Sequence, residues 1–261
     1  MDKYKVALIT GASSGIGEAF ARVLASKGSD LILVARSEDK LRALARQLNE
    51  LYARRVEVVT ADLGLAGSAA KVHAAAEALG MPVDLLINNA GFGTVGSFVK
   101  QDAERERQEI LLNAAAVVDL SHAFLPAMLE RGRGGIINIA SMAAFQPLPY
   151  MSVYAATKAF VLSFSQGLRG EVRNKGVKVL AVCPGPVDTP FFEATGSAGL
   201  RKTVPKATMV TADDVVSTAL RALKSGRSVV VPGVAFKLVA AGSKLVPRDL
   251  LAAMTAMAMK R

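Results

Sequence analysis

Short apolar stretches alternate along the chain with longer segments in which apolar residues recur every three or four positions. Runs such as Leu31-Ile32-Leu33-Val34 are typical of parallel strands buried on both faces. The predicted strands are 5–9, 30–35, 55–60, 83–87, 135–139, 178–182 and 228–231. The predicted helices are 16–27, 38–52, 68–79, 102–130, 152–174 and 212–223. This alternation predicts one doubly wound α/β domain, with a seven-stranded, mainly parallel sheet and helices on both faces.

The last thirty residues have a different character. Two apolar, helix-prone stretches, 234–241 and 250–259, are separated by Pro247, and the sequence Pro247-Arg248-Asp249 is typical of a helix start. We therefore predict a main domain over residues 1–231 and a C-terminal apolar helical extension over residues 232–261. The extension is expected to pack over a pocket or at a subunit interface, or to lie on a membrane surface.

Composition and cysteine content exclude several classes of protein. Of the 261 residues, 51% are hydrophobic, enough for one substantial core. The single cysteine, Cys183, excludes an internal disulfide, suits a reducing cytoplasm and is interpreted as a packed thiol. His73 and His122 stand alone in different helical segments, so no metal site is predicted. We find neither a signal peptide nor about 18 successive uncharged apolar residues, so a cytoplasmic location is expected.

The net charge of +10 is concentrated towards the C-terminus. From Arg227 onward there are six basic residues and one acid, which gives +5, half of the total. This distribution indicates attraction to an anionic substrate or to an anionic membrane surface that the extension touches peripherally. No nucleic-acid partner is predicted.

A glycine-rich turn follows the first predicted strand. Gly11, Gly15 and Gly17 are spaced G-x-x-x-G-x-G at the start of the first helix, where a backbone can approach a pyrophosphate closely. This is a variant of the Rossmann-type nucleotide turn. Arg36 follows the second strand, where an arginine accommodates the 2′-phosphate of NADP(H) and an acid would instead bind the NAD(H) ribose. We predict that Arg36, with Ser13 and Ser37, selects NADP(H).

Tyr154 and Lys158 are four residues apart in a predicted helix, so they share one face. An ammonium group close to a phenol lowers the phenol pKa from its ordinary value of about 10. The pair therefore predicts a tyrosine that exchanges a proton with a carbonyl or an alcohol oxygen.

Taken together, the motifs resemble the short-chain dehydrogenase/reductase family, of its shorter single-domain type. The resemblance extends over residues 5–231 and matches the family's motifs in order. They are Thr10-Gly11-x-x-x-Gly15-Ile16-Gly17, Asp62-Leu63, Asn88-Asn89-Ala90-Gly91, Asn113, Ser141, Tyr154-x-x-x-Lys158 and Pro184-Gly185. The resemblance implies hydride exchange between the B face of NADP(H) and a carbonyl or alcohol carbon.

The resemblance also implies a catalytic role for four residues. Ser141 would hydrogen-bond the substrate oxygen, and Tyr154 would be the general acid/base. Lys158 would lower the Tyr154 pKa and hold the nicotinamide ribose. Asn113 would anchor a water that relays protons between Lys158 and solvent.

The cofactor-binding positions implied by the resemblance run from the glycine-rich turn to the loop after the sixth strand. Asp62 and Leu63 would lie beside the adenine, and Ile139 or Ala140 would flank the nicotinamide. The full set is Gly11, Ser13, Ser14, Gly15, Ile16, Gly17, Arg36, Ser37, Asp62, Leu63, Asn89, Ala90, Gly91, Tyr154, Lys158, Pro184, Gly185, Val187 and Thr189. A homodimer or homotetramer is also implied.

The sequence leaves the substrate open. An apolar, lipid-like or steroid-like ketone is favoured, with reduction of a 3-oxoacyl thioester on a carrier protein as the alternative. A non-catalytic, cofactor-bound sensor or scaffold is the alternative of another class. The loop-like segment 191–208 is interpreted as a lid over the substrate.

Overall fold

The computed structural model describes residues 4–195, 201, 209–243 and 245–259. The strands are β1 Val6–Thr10, β2 Asp30–Ala35, β3 Val56–Thr60, β4 Leu85–Asn88, β5 Gly134–Ile139, β6 Val177–Val182 and β7 Val229–Val230. The first six α-helices are α1 Gly15–Ser26, α2 Glu38–Tyr52, α3 Ser68–Ala78, α4 Ala103–Ile110, α5 Ala116–Glu130 and α6 Ser152–Val172. They are followed by α7 Phe191–Ala194, α8 Ala212–Lys224, α9 Val234–Gly242 and α10 Arg248–Met259. Short 3₁₀ turns span Phe98–Lys100 and Met142–Phe145.

The seven strands form one sheet in the order β3-β2-β1-β4-β5-β6-β7, and every pairing is parallel. The predicted doubly wound sheet is therefore confirmed. The chain crosses from one edge of the sheet to its middle between β3 and β4, so the loops after β1 and β4 diverge. A crevice forms at such a point beyond the carboxyl ends of the strands, where ligands bind in open α/β sheets.

Helices cover both faces of the sheet, and alternate residues of each strand enter the two cores. In β2, Leu31 and Leu33 pack with α1, α2 and α8, whereas Ile32 and Val34 pack with the core that includes α3 and α5. All four side chains are fully buried. Each such burial stabilises the fold by about 1.5–3 kcal/mol, which explains why uninterrupted apolar runs mark these strands.

The predicted helix 102–130 is interrupted by a π-helical turn, Leu111–Ala115, between α4 and α5. Asp102 caps its start by accepting a hydrogen bond from the Glu104 backbone N–H at 3.0 Å. By length and composition alone, the helical stretch 103–130 is long and apolar enough to cross a membrane, although Asp119 divides its uncharged run, so the expectation of no 18 successive uncharged apolar residues holds. Its apolar side chains Leu120, Phe124 and Met128 are packed in the core instead.

The C-terminal extension forms both predicted helices, and each contacts the main domain. In α9, Phe236 and Ala240 pack with Ala140 and Cys183 beneath the end of β6. In α10, the Thr255 hydroxyl lies 2.8 Å from the Leu251 carbonyl of its own helix and 3.2 Å from the Pro147 carbonyl of the main domain. The described part of the extension therefore lies against the loop that follows β5.

The predicted lid is described only at its beginning. Phe191–Ala194 form the short helix α7 rather than a loop. Arg201 pairs with Asp188 at 2.6 Å. The remainder of the predicted lid, residues 196–200 and 202–208, lies outside the described residues.

Candidate active site

The glycine-rich turn joins β1 to α1 in a conformation that requires its glycines. Gly11 and Gly15 have φ angles of 63° and 57°, in the left-handed region that favours glycine. A side chain at Gly17 would collide with the Gly11 carbonyl oxygen. A Cβ at Gly15 would lie 3.0 Å from the Thr189 methyl group. The turn is thus closed on one side and leaves its backbone open towards the crevice.

Hydrogen bonds fasten this turn to the loop after β4. The Thr10 hydroxyl accepts hydrogen bonds from the backbone N–H groups of Asn89 and Ala90 at 2.9 and 3.0 Å. The Asn89 side-chain amide donates to the Thr10 carbonyl oxygen at 2.9 Å. These bonds explain the Asn-Asn-Ala-Gly sequence, because Asn89 fixes the distance between the two loops that border the crevice.

A cleft of about 670 Å³ runs along the carboxyl edge of the sheet. Every predicted cofactor-binding residue except Gly17 lines this cleft. Gly17 is the exception because it supports the turn from behind. Ser141, Tyr154, Lys158, Ile139 and Ala140 line the same cleft. The loop positions that are distant in sequence therefore converge as predicted.

Arg36 stands at one end of this cleft. Its side chain is 76% exposed, and its guanidinium lies 3.9 Å from the Asp62 carboxylate. A long contact at an exposed position contributes little stability, so the guanidinium is available to an anion. Lys40, in the first turn of α2, lines the same end. Sequence reasoning missed Lys40, because an exposed lysine at the start of a polar helix resembles any other surface charge.

At the other end, the start of α6 and the end of β5 bring Ser141, Tyr154 and Lys158 together. Ser141 caps the 3₁₀ turn after β5, where its hydroxyl accepts a hydrogen bond from the Ala143 backbone N–H at 3.1 Å. Lys158 donates a hydrogen bond to the Ile139 carbonyl at 2.9 Å. Its Nζ lies 5.8 Å from the centre of the Tyr154 ring. The Tyr154 ring in turn packs against Phe191, with centroids 5.5 Å apart.

The prediction that the Tyr154 pKa is lowered is wrong for the protein without bound cofactor or substrate. Burial raises the pKa of Tyr154 to about 12, which the Ser141 hydroxyl opposes and the Glu109 carboxylate reinforces. Burial also lowers the pKa of Lys158 to about 8, against the influence of Glu109. The sequence argument counted the ammonium charge but not the desolvation of both groups, which depends on packing that helical spacing does not reveal.

Asn113 lies behind the cleft, inside the π-helical turn, and is almost fully buried. Its amide oxygen accepts a hydrogen bond from the Phe92 backbone N–H at 3.1 Å, and its amide nitrogen donates to the Phe92 carbonyl at 2.8 Å. The amide nitrogen also donates to the Thr157 hydroxyl at 3.1 Å. Asn113 therefore fixes the loop after β4 against α6, and its predicted water-holding role stays a prediction.

The substrate end of the cleft is largely apolar, and most of its residues were not predicted. The apolar side chains that line the cleft there are Phe92, Leu112, Met142, Leu148, Met151, Phe191 and Phe192. Gln146 adds a polar group. These apolar residues come from four separate segments, which are the loops after β4 and β5, the π-helical turn and α7, and so gave no periodic signal in the sequence.

Two further predictions concern Cys183 and metal ions. Cys183 is fully buried, and burial raises the pKa of its thiol to about 12, as expected for a packed thiol rather than a nucleophile. Among the residues that the structure describes, no group of three or more His, Cys, Asp or Glu side chains could hold a metal ion.

Comparisons with known proteins place this fold and cleft in a family. Residues 5–199 match the family model of the short chain dehydrogenases, and the chain belongs to this family. A short-chain dehydrogenase from Sphingobium yanoikuyae in complex with NADPH is 37% identical, with a TM-score of 0.83 over 92% of this chain and 93% of that one. The bulky-bulky ketone specific alcohol dehydrogenase from Comamonas testosteroni is 34% identical, with a TM-score of 0.78 over 92% and 93%.

A curated relative adds a second substrate class to the comparison. The very-long-chain 3-oxoacyl-CoA reductase of Anas platyrhynchos is 36% identical over 188 residues, which are 70% of this chain and 60% of that protein. The chain is thus an oxidoreductase of the short chain dehydrogenase family.

Proposed function

We propose that this protein is an NADP(H)-dependent oxidoreductase that interconverts a carbonyl and a secondary alcohol, acting on an apolar substrate. The observation that carries the proposal is the convergence of Ser141, Tyr154 and Lys158 in the same cleft as the glycine-rich turn and Arg36.

We further propose to divide the chain into a catalytic domain, residues 1–231, and a helical extension, residues 232–261. We infer a cytoplasmic location and a homodimer or homotetramer, in line with the family and the one buried cysteine.

The residues fit NADP(H) along the whole cleft. Gly11 and Gly15 line the cleft at the N-terminus of α1, where a pyrophosphate would be held, and Arg36 and Lys40 offer two cations to a 2′-phosphate. Lys158 and the loop from Pro184 to Thr189 border the end where the nicotinamide and its ribose would be held. When bound, NADPH supplies the hydride. The NADPH complex of the Sphingobium relative supports this assignment.

Ser141 and Tyr154 act on the substrate oxygen. In reduction, the Ser141 hydroxyl donates a hydrogen bond to the carbonyl oxygen, and Tyr154 delivers its proton to the same oxygen. A Tyr154 pKa of about 12 keeps the phenol protonated at neutral pH, the form that reduction needs. In oxidation, Tyr154 must first lose that proton, which the Lys158 ammonium favours. Lys158, with a pKa of about 8, carries its charge at neutral pH.

The substrate class follows from the lining of the cleft. Phe92, Met142, Leu148, Met151 and Phe192 form an apolar wall with few groups that could hydrogen-bond a polar substrate. This composition supports a bulky apolar ketone, in agreement with the bulky-bulky ketone specificity of the Comamonas enzyme. The 3-oxoacyl-CoA reductase among the relatives favours an acyl thioester as the second candidate, on either coenzyme A or a carrier protein.

NADPH oxidation with a panel of substrates tests the proposal. We expect turnover with bulky apolar ketones, with a kcat/KM that exceeds those for small polar ketones and for 3-oxoacyl thioesters. A higher kcat/KM for the thioesters would select the second candidate. Binding of NADPH without turnover of any member of the panel would refute the enzymatic proposal and favour a sensor or scaffold.

We further propose that the extension contacts a membrane surface peripherally. The described residues of the tail expose seven large apolar side chains, which are Val234, Leu238, Val239, Leu245, Leu250, Met254 and Met257. Lys237 and Arg248, both exposed, lie among them and would meet anionic headgroups. None of the described tail residues lines the cleft, although the Phe236 ring lies against Gly185, which does.

Flotation with vesicles tests the membrane contact. We expect the full-length protein to float with anionic vesicles at low salt and to float less when Leu250 and Met254 are both replaced by Ser. Replacing the exposed Leu51 and Leu65 of the main domain by Ser is the matched control and should leave flotation unchanged. Failure to float, together with dissociation of an oligomer by the Leu250/Met254 double substitution, would assign the surface to a second copy of the chain.

A further inference from the structure

Glu109 is a fully buried acid that the proposed catalytic steps do not use. It lies in the last turn of α4, directly before the π-helical turn that carries Asn113. The Thr94 hydroxyl donates a hydrogen bond to its Oε2 at 2.8 Å. Its other oxygen, Oε1, is buried without a hydrogen-bond partner. Such an arrangement disfavours a permanent charge, because a buried carboxylate needs partners for both oxygens.

The loop after β4 lies between Glu109 and the catalytic residues. A Cβ placed on Gly91 would be 2.8 Å from Asn113 Oδ1 and 3.5 Å from Lys158 Nζ. A Cβ placed on Gly93 would be 3.0 Å from the Tyr154 ring. Thr94, the next residue, binds Glu109. A few backbone atoms therefore separate the carboxyl group from Tyr154 and Lys158.

Glu109 interacts electrostatically with Lys158 and Tyr154 of α6 and with Glu106 of its own helix. The Arg105 guanidinium lies on the outer side of the same loop, 4.8 Å from the centre of the Phe92 ring. Cys183 interacts with Lys158 from the other side. Lys158 is thus the buried cation whose charge Glu109 influences.

We propose that Glu109 is a positioning residue that sets both the charge on Lys158 and the acidity of Tyr154 by holding or releasing a proton behind the active site. The proposal rests on the proposed function of Tyr154 and Lys158. Burial raises the pKa of Glu109 to about 7, while Thr94 and Lys158 oppose the rise. The group therefore changes its charge in the range where an enzyme of the cytoplasm works.

The charge on Glu109 changes the pKa values of both Lys158 and Tyr154 in the same direction. An ionised Glu109 raises the pKa of Lys158 and that of Tyr154. Glu109→Gln removes this influence, so Lys158 and Tyr154 lose their protons at lower pH. We therefore consider kcat/KM as a function of pH. The alkaline limb of this profile for reduction and its acidic limb for oxidation should both move to lower pH, by about half a pH unit or more. A residue that only supported the fold would lower kcat/KM at every pH without moving either limb.

Thermal unfolding without added cofactor provides a readout independent of turnover. The Glu109 pKa of about 7 lies above its ordinary value of 4.5, so its contribution to stability is complete below that ordinary value and is lost as the pH rises through 7. Glu109→Gln has no such loss. The Tm of the variant relative to the wild type should therefore rise between about pH 5 and pH 8. Glu104→Gln, an exposed acid of the same helix paired with Arg107, is the matched control and should show neither effect.

The outcomes are separable. Displacement of both limbs of the Glu109→Gln pH profiles, together with the pH-dependent Tm difference from the wild type, supports the proposal. Limbs that stay at the wild-type pH overturn it, even if the Tm difference is present. If Glu109→Gln does not fold, Thr94→Val is the variant to test, because it removes the hydrogen bond that lowers the Glu109 pKa. We expect a smaller displacement of both limbs in the same direction. Limbs that do not move would overturn the proposal. A wild-type protein without turnover would refute the proposed function, while the Tm difference would still report whether Glu109 titrates.

Discussion

Tyr154→Phe is expected to lower kcat for carbonyl reduction by about 10²–10⁴-fold, because the substrate oxygen loses its proton donor. The fold should be retained, since the ring still packs against Phe191. Binding of NADPH, followed by its fluorescence, should be nearly unchanged because the phenylalanine ring fills the same space. The measurement is single-turnover reduction of the preferred ketone at saturating NADPH.

The control for this variant is Tyr52→Phe, which removes a hydroxyl from a partly exposed tyrosine at the end of α2. Its turnover should match that of the wild type. Near-normal turnover by Tyr154→Phe would show that another group donates the proton and would remove Tyr154 from the mechanism.

Arg36→Ala is expected to lower kcat/KM for NADPH by about 10–100-fold, because hydrogen bonds to a charged group contribute about 1.5–3 kcal/mol. The value for NADH should change little, since NADH has no 2′-phosphate for the guanidinium to bind. Steady-state kinetics with both cofactors measure the change in preference. Lys40→Ala should produce a smaller loss of the same kind.

Arg42→Ala is the matched control for Arg36→Ala. Arg42 of α2 is likewise an exposed arginine, but it pairs with Glu38 at 2.6 Å and does not line the cleft. Its cofactor preference should be that of the wild type. If the wild type used NADH better than NADPH, or if Arg36→Ala lost both cofactors equally, Arg36 would not be the selecting residue.

The fold was largely predictable because its signals are local. Apolar runs such as Leu31 to Val34 and the spacing of Gly11, Gly15 and Gly17 are consequences of the conformation that each short segment must adopt. The parallel, doubly wound arrangement followed from the alternation of strands and helices. Boundaries were less certain where tertiary contacts decide them: β4 begins at Leu85 rather than at residue 83, and Asp84 accepts a hydrogen bond from the Lys5 backbone N–H at 3.0 Å.

The residues of the site could be predicted from the sequence, but their pKa values could not. Tyr154 and Lys158 were found from their spacing, yet the direction of the Tyr154 pKa depends on burial that only the packed structure determines. Glu109 gave no sequence signal either, because an acid in the polar stretch Glu104 to Glu109 resembles its exposed neighbours. Only the π-helical turn and the packing of Thr94 distinguish it.

A crystal structure of the NADPH complex tests the central claim most directly. The account predicts the nicotinamide ring beside the Tyr154 hydroxyl, with the Lys158 ammonium directed to the adjoining ribose and Arg36 to the 2′-phosphate. A complex in which the ring lies elsewhere, or in which Tyr154 and Lys158 point away from it, would contradict the account.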